Sequence, residues 1–147
     1  LGDGRWPGLL AQPLFAADLT PVCAPALARR LRRPGDLAPG CLLRVTHAAE
    51  DWPRWLEAVG LAGLPAQGPQ FDFYGQALQA AADGLGVAMG IRPYIDDDLA
   101  AGRLVAPFPQ SVSKGKGWYL VHQPFRTAEP AFAAFAEWIT DAAHRIP

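Results

Sequence analysis

Two side chains that could support covalent catalysis, Cys23 and His122, lie in segments whose sequences are typical of β-strands. A thiol beside an imidazole can be activated as a thiolate nucleophile. No sequence typical of an oxyanion hole accompanies either residue, and the alternation of side chains along a strand can place the two on different faces. The sequence therefore argues against an enzyme, and we predict no catalytic residue and no cofactor.

Two clusters of side chains could in principle bind a metal ion. The consecutive carboxylates of residues 96–98 precede a short helical pattern, and carboxylates at the start of a helix are stabilised by its dipole. Consecutive residues also point in different directions, and no second ligand cluster lies nearby. His47, close to Glu50 and Asp51, is a weaker alternative. We predict no metal site.

Nucleotide or nucleic-acid binding has little support in the sequence. Gly84, Gly86 and Gly90 resemble a dinucleotide-binding loop, but they end a helical pattern and enter an apolar run, which reverses the order that such a loop requires. The basic stretch 29–33 is typical of a short solvated helix, and the net charge of −1 gives no field that attracts DNA or an anionic membrane.

The composition is that of an ordinary globular protein, with 147 residues, half of them apolar and 18% charged. No run of 18 apolar residues is present, so we predict no membrane span. The first residues have no basic stretch followed by an apolar one, which argues against a signal peptide. We therefore expect Cys23 and Cys41 to be buried thiols in the reducing cytoplasm.

Short apolar runs alternate with helical patterns along the chain, which predicts an α/β fold with a largely parallel sheet. Asp51 and Asp72 are expected to cap helices, and glycines are expected to end them. The predicted strands are 19–24, 41–45, 86–91, 104–108 and 117–122, and the predicted helices are 25–33, 51–60, 74–83, 96–102 and 129–145.

Four stretches in this order resemble one bacterial family. They are the opening LGDGRWPGL, the passage from PLF at 13–15 through TPVCAPAL at 20–27 to PGDL at 34–37, the block AAADGLGVA at 80–88 with DLAAGRLV at 98–105, and GWYLV at 117–121. Together they resemble the effector-binding domain of LysR-type transcriptional regulators. The likeness is greatest to the branch that includes the glycine-cleavage and chromosomal β-lactamase activators, and it covers nearly the whole chain.

The resemblance implies a fold like that of type 2 periplasmic binding proteins, in which two Rossmann-like α/β lobes are joined by two crossing strands. Residues 1–23 would then be the remainder of lobe I up to the first crossing strand, and 24–117 would be lobe II. Residues 118–147 would be the return strand and C-terminal helix of lobe I. The chain is expected to begin partway through a longer protein. Lobe I would then be incomplete and would expose sheet edges and apolar surface.

The resemblance also implies a function. A small effector, carboxylate-like or amino-acid-like, would bind between the lobes, and the response would pass to a DNA-binding domain outside this chain. The protein would be cytoplasmic, without membrane contact, and homo-oligomeric. The alternative is a solute-binding protein of a transport system with the same fold.

Six residues are the candidate effector contacts. Cys23 and Ala24 would form the floor of the cleft on the first crossing strand, and Tyr119 would offer its hydroxyl from the second. Phe73, Tyr74 and Gly75 lie at a strand-to-helix junction, where helix-terminal backbone amides can hold a carboxylate and aromatic rings can form a wall. The alternative for Phe73 and Tyr74 is that they simply pack within lobe II.

Overall fold

Strands and helices alternate along residues 1–145, which are the residues that the computed structural model describes. The strands are β1 (Leu10–Val22), β2 (Leu42–Val45), β3 (Gln70–Phe71), β4 (Val87–Arg92) and β5 (Val112–His122). The α-helices are α1 (Pro25–Ala28), α2 (Asp51–Ala58), α3 (Tyr74–Ala82), α4 (Asp96–Ala100) and α5 (Pro130–His144). Short 3-10 helices span Pro34–Asp36, Thr46–Ala48 and Pro124–Ala128.

The chain divides into two compact units, and both boundaries fall at or inside long strands. The first unit comprises Leu1–Ala17 and the chain from Ser113 onward, and the second comprises Asp18–Val112. β1 therefore begins in the first unit and ends in the second. The predicted division at residues 23/24 and 117/118 stays a proposal for the lobes of the family.

A mixed sheet with the strand order β3-β2-β4-β1 forms the centre of the second unit. β2 is parallel to both β3 and β4, whereas the second half of β1 is antiparallel to β4, with Val22 opposite Ala88. The first five residues of β4 are buried, as expected of a strand covered on both faces. The apolar side of α3, including Leu78 and Ala81, packs into the same core.

Two predicted elements of the second unit are wrong. The helix predicted for residues 25–33 ends at Ala28, and a separate 3-10 turn follows at Pro34–Asp36. The predicted strand 104–108 is not a strand in the structure, because Val105 makes only an isolated bridge to Cys23. Leu104 and Phe108 are buried in the core without sheet pairing, so their apolar character reflects packing.

The first unit contains the early part of β1, its sheet neighbour β5, and α5. β1 begins at Leu10 and β5 at Val112, so both strands start well before the predicted positions. The predicted C-terminal helix is present, with Glu129 as its N-cap and Pro130 in its first turn. Of the helices in residues 1–145, none has the length and apolarity that crossing a membrane requires.

Candidate functional site

The carboxyl ends of β2 and β3 meet at one edge of the parallel part of the sheet, and a polar contact holds them there. Thr46, which follows β2, places its hydroxyl oxygen 3.2 Å from the carbonyl oxygen of Phe71 and 3.4 Å from a carboxylate oxygen of Asp72. The same oxygen accepts a hydrogen bond from the Gln70 side chain at 3.1 Å. Such strand ends are where open α/β sheets bind ligands.

Phe73 presents an exposed aromatic ring at this edge. It is the N-cap of α3 in extended conformation, and its backbone N–H donates to Oε1 of Gln76 at 3.3 Å. The prediction that Asp72 caps this helix is wrong. Phe73 is 64% exposed, and the ring of His47 lies 6.5 Å from its ring, centroid to centroid. Of the predicted aromatic contacts in the second unit, Phe73 is the one with a solvent-facing ring.

Tyr74 faces inward instead. Its ring packs against the buried core of the second unit, and its hydroxyl donates a hydrogen bond to the carboxylate of Asp51 in the first turn of α2. Burial, and then the neighbouring carboxylate, raises the pKa of Tyr74 well above its ordinary value. These contacts favour the alternative that Tyr74 packs within its unit.

Asp51 was predicted as the N-cap of α2, but it occupies the first turn of the helix, and Glu50 is the N-cap. Asp51 is almost fully buried. Its carboxylate accepts a hydrogen bond from Tyr74, which lies 23 residues away in sequence. Sequence spacing gave no signal for this pairing, because it joins the starts of two different helices.

Gly75 lies open to solvent in the first turn of α3, where an added side-chain carbon would meet no atom within 4 Å. It borders a cavity of about 380 Å³ between α3 and α4. Asp98 and Arg103 form an ion pair at the rim of this cavity. A smaller cavity of about 220 Å³ adjoins Thr46 and Gln70.

Arg44, at the smaller cavity, is a cation that sequence reasoning missed. Its guanidinium donates two hydrogen bonds to the carbonyl oxygen of Gly68, at 3.2 and 3.0 Å. The available signal was its position in the predicted strand 41–45, near the carboxyl end of that strand. None of the six predicted effector contacts is a cation, so Arg44 adds a positive charge at the cavity that adjoins Thr46 and Gln70.

Cys23 and Ala24 belong to the interior of the second unit. Cys23 exchanges two backbone hydrogen bonds with Val105, at 3.0 and 2.9 Å, and the Ala24 N–H donates to Ala81 at 3.1 Å. Cys23 has no exposed surface, and burial raises the pKa of its thiol to about 11. The thiol therefore stays protonated near neutral pH. Cys41, predicted to be buried, is half-buried.

The surroundings of Cys23 are not those of an active nucleophile. The protonated Cys23 thiol lacks the thiolate on which cysteine nucleophiles depend. His122 packs its ring against Phe132 in the first unit, with a centroid distance of 4.6 Å. Its Nδ1 lies 3.0 Å from the carbonyl oxygen of Gln123.

The metal and nucleotide patterns also have structural explanations. Across residues 1–145, no three His, Cys, Asp or Glu side chains come together as potential metal ligands. Gly84 has a φ of +87° just beyond the end of α3. Gly86 and Gly90 lie so close to neighbouring atoms that an added side-chain carbon would be 2.3 Å and 2.7 Å from them. These glycines serve helix termination and close packing.

Tyr119 lies on β5 in the first unit, with its ring 5.4 Å from that of Trp6 in an edge-to-face arrangement at 65°. Its neighbour Trp118 contacts Phe15, at a centroid distance of 5.0 Å. Trp118 and Tyr119 thus contact different partners, as the alternation of side chains along a strand predicts.

Comparison with known proteins gives one family. The family described as LysR substrate binding domain matches residues 1–144. The HTH-type transcriptional activator AmpR of Rhodobacter capsulatus is 41% identical over 139 residues, which are 95% of this chain and 47% of that protein. The glycine cleavage system transcriptional activator of Escherichia coli strain K12 is 37% identical over 142 residues, 94% of this chain and 46% of that protein. The chain thus spans about half the length of these relatives.

Solved structures agree with this family. The effector domain of AmpR from Pseudomonas aeruginosa superposes with a TM-score of 0.79 at 36% identity, over 97% of this chain and 68% of that one. The AmpR effector binding domain from Citrobacter freundii gives a TM-score of 0.81 at 30% identity, over 98% of this chain and 72% of that one. These matches confirm the predicted fold class. The relatives are transcription regulators and not enzymes, as predicted, and they do not favour the transport alternative.

Proposed function

The chain belongs to the LysR substrate-binding domain family, and from that premise we propose that it senses a small effector for a transcription regulator. The response would pass to a helix-turn-helix domain outside the 147 residues. In this proposal the protein acts in the cytoplasm as a homo-oligomer. Effector binding works by differential affinity, because a ligand shifts a conformational equilibrium only as far as it prefers one state.

One observation carries the proposal: an exposed aromatic side chain, Phe73, stands at the carboxyl ends of parallel strands and at the start of α3. The His47 imidazole lies beside this ring, and the Thr46 hydroxyl contacts the preceding residue, Asp72. A small ligand with an apolar body and a polar end fits this combination of groups.

The proposed ligand class is a small carboxylate or an amino-acid derivative. The backbone at Tyr74 and Gly75 begins α3, and helix N-termini favour anions. In this proposal Phe73 forms the wall of the site in the second unit, and Gly75 leaves the backbone there open to the ligand. The family resemblance separately implies that Tyr119 of the first unit offers its hydroxyl to the effector. Cys23 and Ala24, which are buried, would form the floor of the cleft. Tyr74 would hold the start of α3 in place through its hydrogen bond to Asp51.

A thermal-shift screen tests the proposal with small carboxylates and amino-acid derivatives, including N-acetyl-L-alanine and its neutral counterpart N-acetyl-L-alaninamide. A ligand present at about 100 times its Kd stabilises the folded state by roughly 2.7 kcal/mol. We expect the carboxylate to raise the melting temperature more than the amide, because only the carboxylate carries the negative charge that α3 favours.

Phe73→Ala supplies the decisive variant, and Phe125→Ala is its matched control, since Phe125 is 61% exposed in the first unit. We expect Phe73→Ala to reduce the ligand-induced shift and Phe125→Ala to leave it unchanged. The proposed site is wrong if no compound in the panel stabilises the chain, or if both variants respond to a stabilising compound as the unsubstituted chain does.

A further inference from the structure

The N-terminal loop, residues 1–9, is held against β5 close to Tyr119. Gly2 and Gly117 exchange two backbone hydrogen bonds, at 2.9 and 2.8 Å. Further along the loop, the Leu9 N–H donates to the carbonyl oxygen of Trp6 at 3.1 Å. The loop is therefore fastened two residues before Tyr119 and turns back on itself around Trp6.

Two glycines of this loop leave room for two aromatic rings. A side-chain carbon at Gly2 would lie 2.5 Å from the Trp6 ring, and one at Gly4 would lie 3.0 Å from the hydroxyl oxygen of Tyr119. Gly4 also has a φ of +85°, which glycine adopts without the penalty that other residues incur. The backbone of Gly4 therefore lies directly against the phenol of Tyr119.

The Trp6 ring completes this enclosure. Its centroid is 5.4 Å from that of Tyr119, with the planes at 65°, an arrangement that aromatic pairs favour. We infer that Trp6 is a positioning residue that, with the backbone of Gly4, holds the Tyr119 ring, and with it the hydroxyl oxygen, in one place for ligand recognition. This inference rests on the proposed function, in which Tyr119 contacts the effector.

A hydroxyl oxygen held in one place selects among ligands. A ligand with a matching hydrogen-bonding group is accepted, and an analogue without that group leaves the hydroxyl unpaired on binding. A tyrosine free to rotate would discriminate less. Trp6 would therefore influence ligand binding only through Tyr119, without touching the ligand.

A double-mutant cycle separates positioning from general stabilisation. Binding of N-acetyl-L-alanine is measured by calorimetry for Trp6→Ala, Tyr119→Phe and the double variant. From the size of an edge-to-face aromatic pair we expect Trp6→Ala to weaken binding roughly 2- to 10-fold when Tyr119 is present. In the Tyr119→Phe background, Trp6→Ala should weaken binding no further. With Tyr119 present, Trp6→Phe should keep most of the affinity that Trp6→Ala loses.

A second readout needs no ligand. With 3-fluorotyrosine at the three tyrosines, Tyr119→Phe identifies the ¹⁹F signal of Tyr119. Removal of an indole moves that signal in any case, so the line shape is the quantity compared. We expect a narrow line in the unsubstituted chain and in Trp6→Phe, and a broad exchange-averaged line in Trp6→Ala. Phe125→Ala, which removes an exposed aromatic ring of the first unit outside α5, is the control and should leave the line unchanged.

The outcomes distinguish the proposed effector contact of Tyr119 from the inferred positioning role of Trp6. If Tyr119→Phe binds N-acetyl-L-alanine as tightly as the unsubstituted chain, or if that compound does not bind at all, the proposed role of Tyr119 fails for this ligand class. The line shape alone then decides whether Trp6 positions the ring. The inference is overturned if Trp6→Ala leaves the line narrow, or if it weakens binding equally with Tyr119 and with Phe at position 119.

Discussion

At the scale of single residues, Tyr74 was predicted to contact the effector, but its hydroxyl is hydrogen-bonded to Asp51 inside the second unit. The buried carboxylate accepts a hydrogen bond from the phenol, and the two residues join the first turns of α2 and α3. A buried acceptor that loses its donor is costly, because it is not returned to water. The pair therefore fixes the start of α3, where Phe73 stands.

Tyr74→Phe tests this view. It leaves the Asp51 carboxylate buried with one donor fewer, so we expect the free energy of unfolding in urea to fall by about 1–3 kcal/mol. Tyr94→Phe is the matched control, because Tyr94 is 65% exposed, and it should change stability little. Equal stability of the two variants would contradict the role given to Asp51.

The raised pKa of Tyr74 adds a pH dependence to the same variant. Burial disfavours the phenolate in the folded state, so the folded chain retains a proton that the unfolded chain releases above about pH 10. This contribution to stability is complete below that pH and is lost as the pH rises toward the folded-state pKa. Unfolding curves recorded on both sides of pH 10 should show a smaller alkaline loss for Tyr74→Phe than for the unsubstituted chain.

At the scale of elements, helices and strands that depend on local sequence patterns were predicted well, whereas those that depend on tertiary packing were not. The run at residues 86–91 and the helix at 129–145 were predicted well, because an apolar run between glycines and a helical stripe of apolar side chains are local patterns. The apolar run at 104–108 misled, since its burial comes from packing and a single bridge to Cys23. The long early part of β1 was missed, because Gln12 and Pro13 interrupt its apolar pattern.

The contact between β2 and β4 supplies the prediction at this scale. Val87 donates to the carbonyl oxygen of Cys41 at 2.9 Å, and a side-chain carbon at Gly86 would lie 2.3 Å from the same oxygen. Because the close atom belongs to the backbone of Cys41, it has little room to move away from an added side chain. We therefore expect Gly86→Ala to destabilise the chain by about 1–3 kcal/mol, as overpacking does.

Gly63→Ala is the matched control for Gly86→Ala, because a side-chain carbon at Gly63 meets no atom within 4 Å. Midpoints of urea unfolding for the two variants and the unsubstituted chain provide the measurement. A Gly86→Ala variant as stable as Gly63→Ala would show that the β2–β4 contact can widen, against the packing described here.

At the scale of the whole molecule, the family and its fold class followed from motifs spread over the chain, whereas the roles of individual site residues did not. Phe73, Tyr74 and Gly75 are consecutive, yet one ring is exposed, the next hydroxyl is bound to Asp51, and the glycine borders a cavity. These differences depend on α2 and α4, which are distant in sequence. Local sequence located the junction, and tertiary contacts decide what each residue does there.

The surface of α5 gives the last prediction. Phe135 and Trp138 are 46% and 62% exposed, and their rings lie 5.9 Å apart. Adjacent exposed aromatic side chains favour association, because contact with another surface removes apolar area from water. We expect the 147-residue chain to self-associate with rising concentration in sedimentation-velocity experiments. Replacing both Phe135 and Trp138 with Gln should reduce that association, whereas Tyr94→Gln, a similarly exposed aromatic of the second unit, should not. Equal association of the unsubstituted chain and the double variant would exclude the α5 surface as its cause.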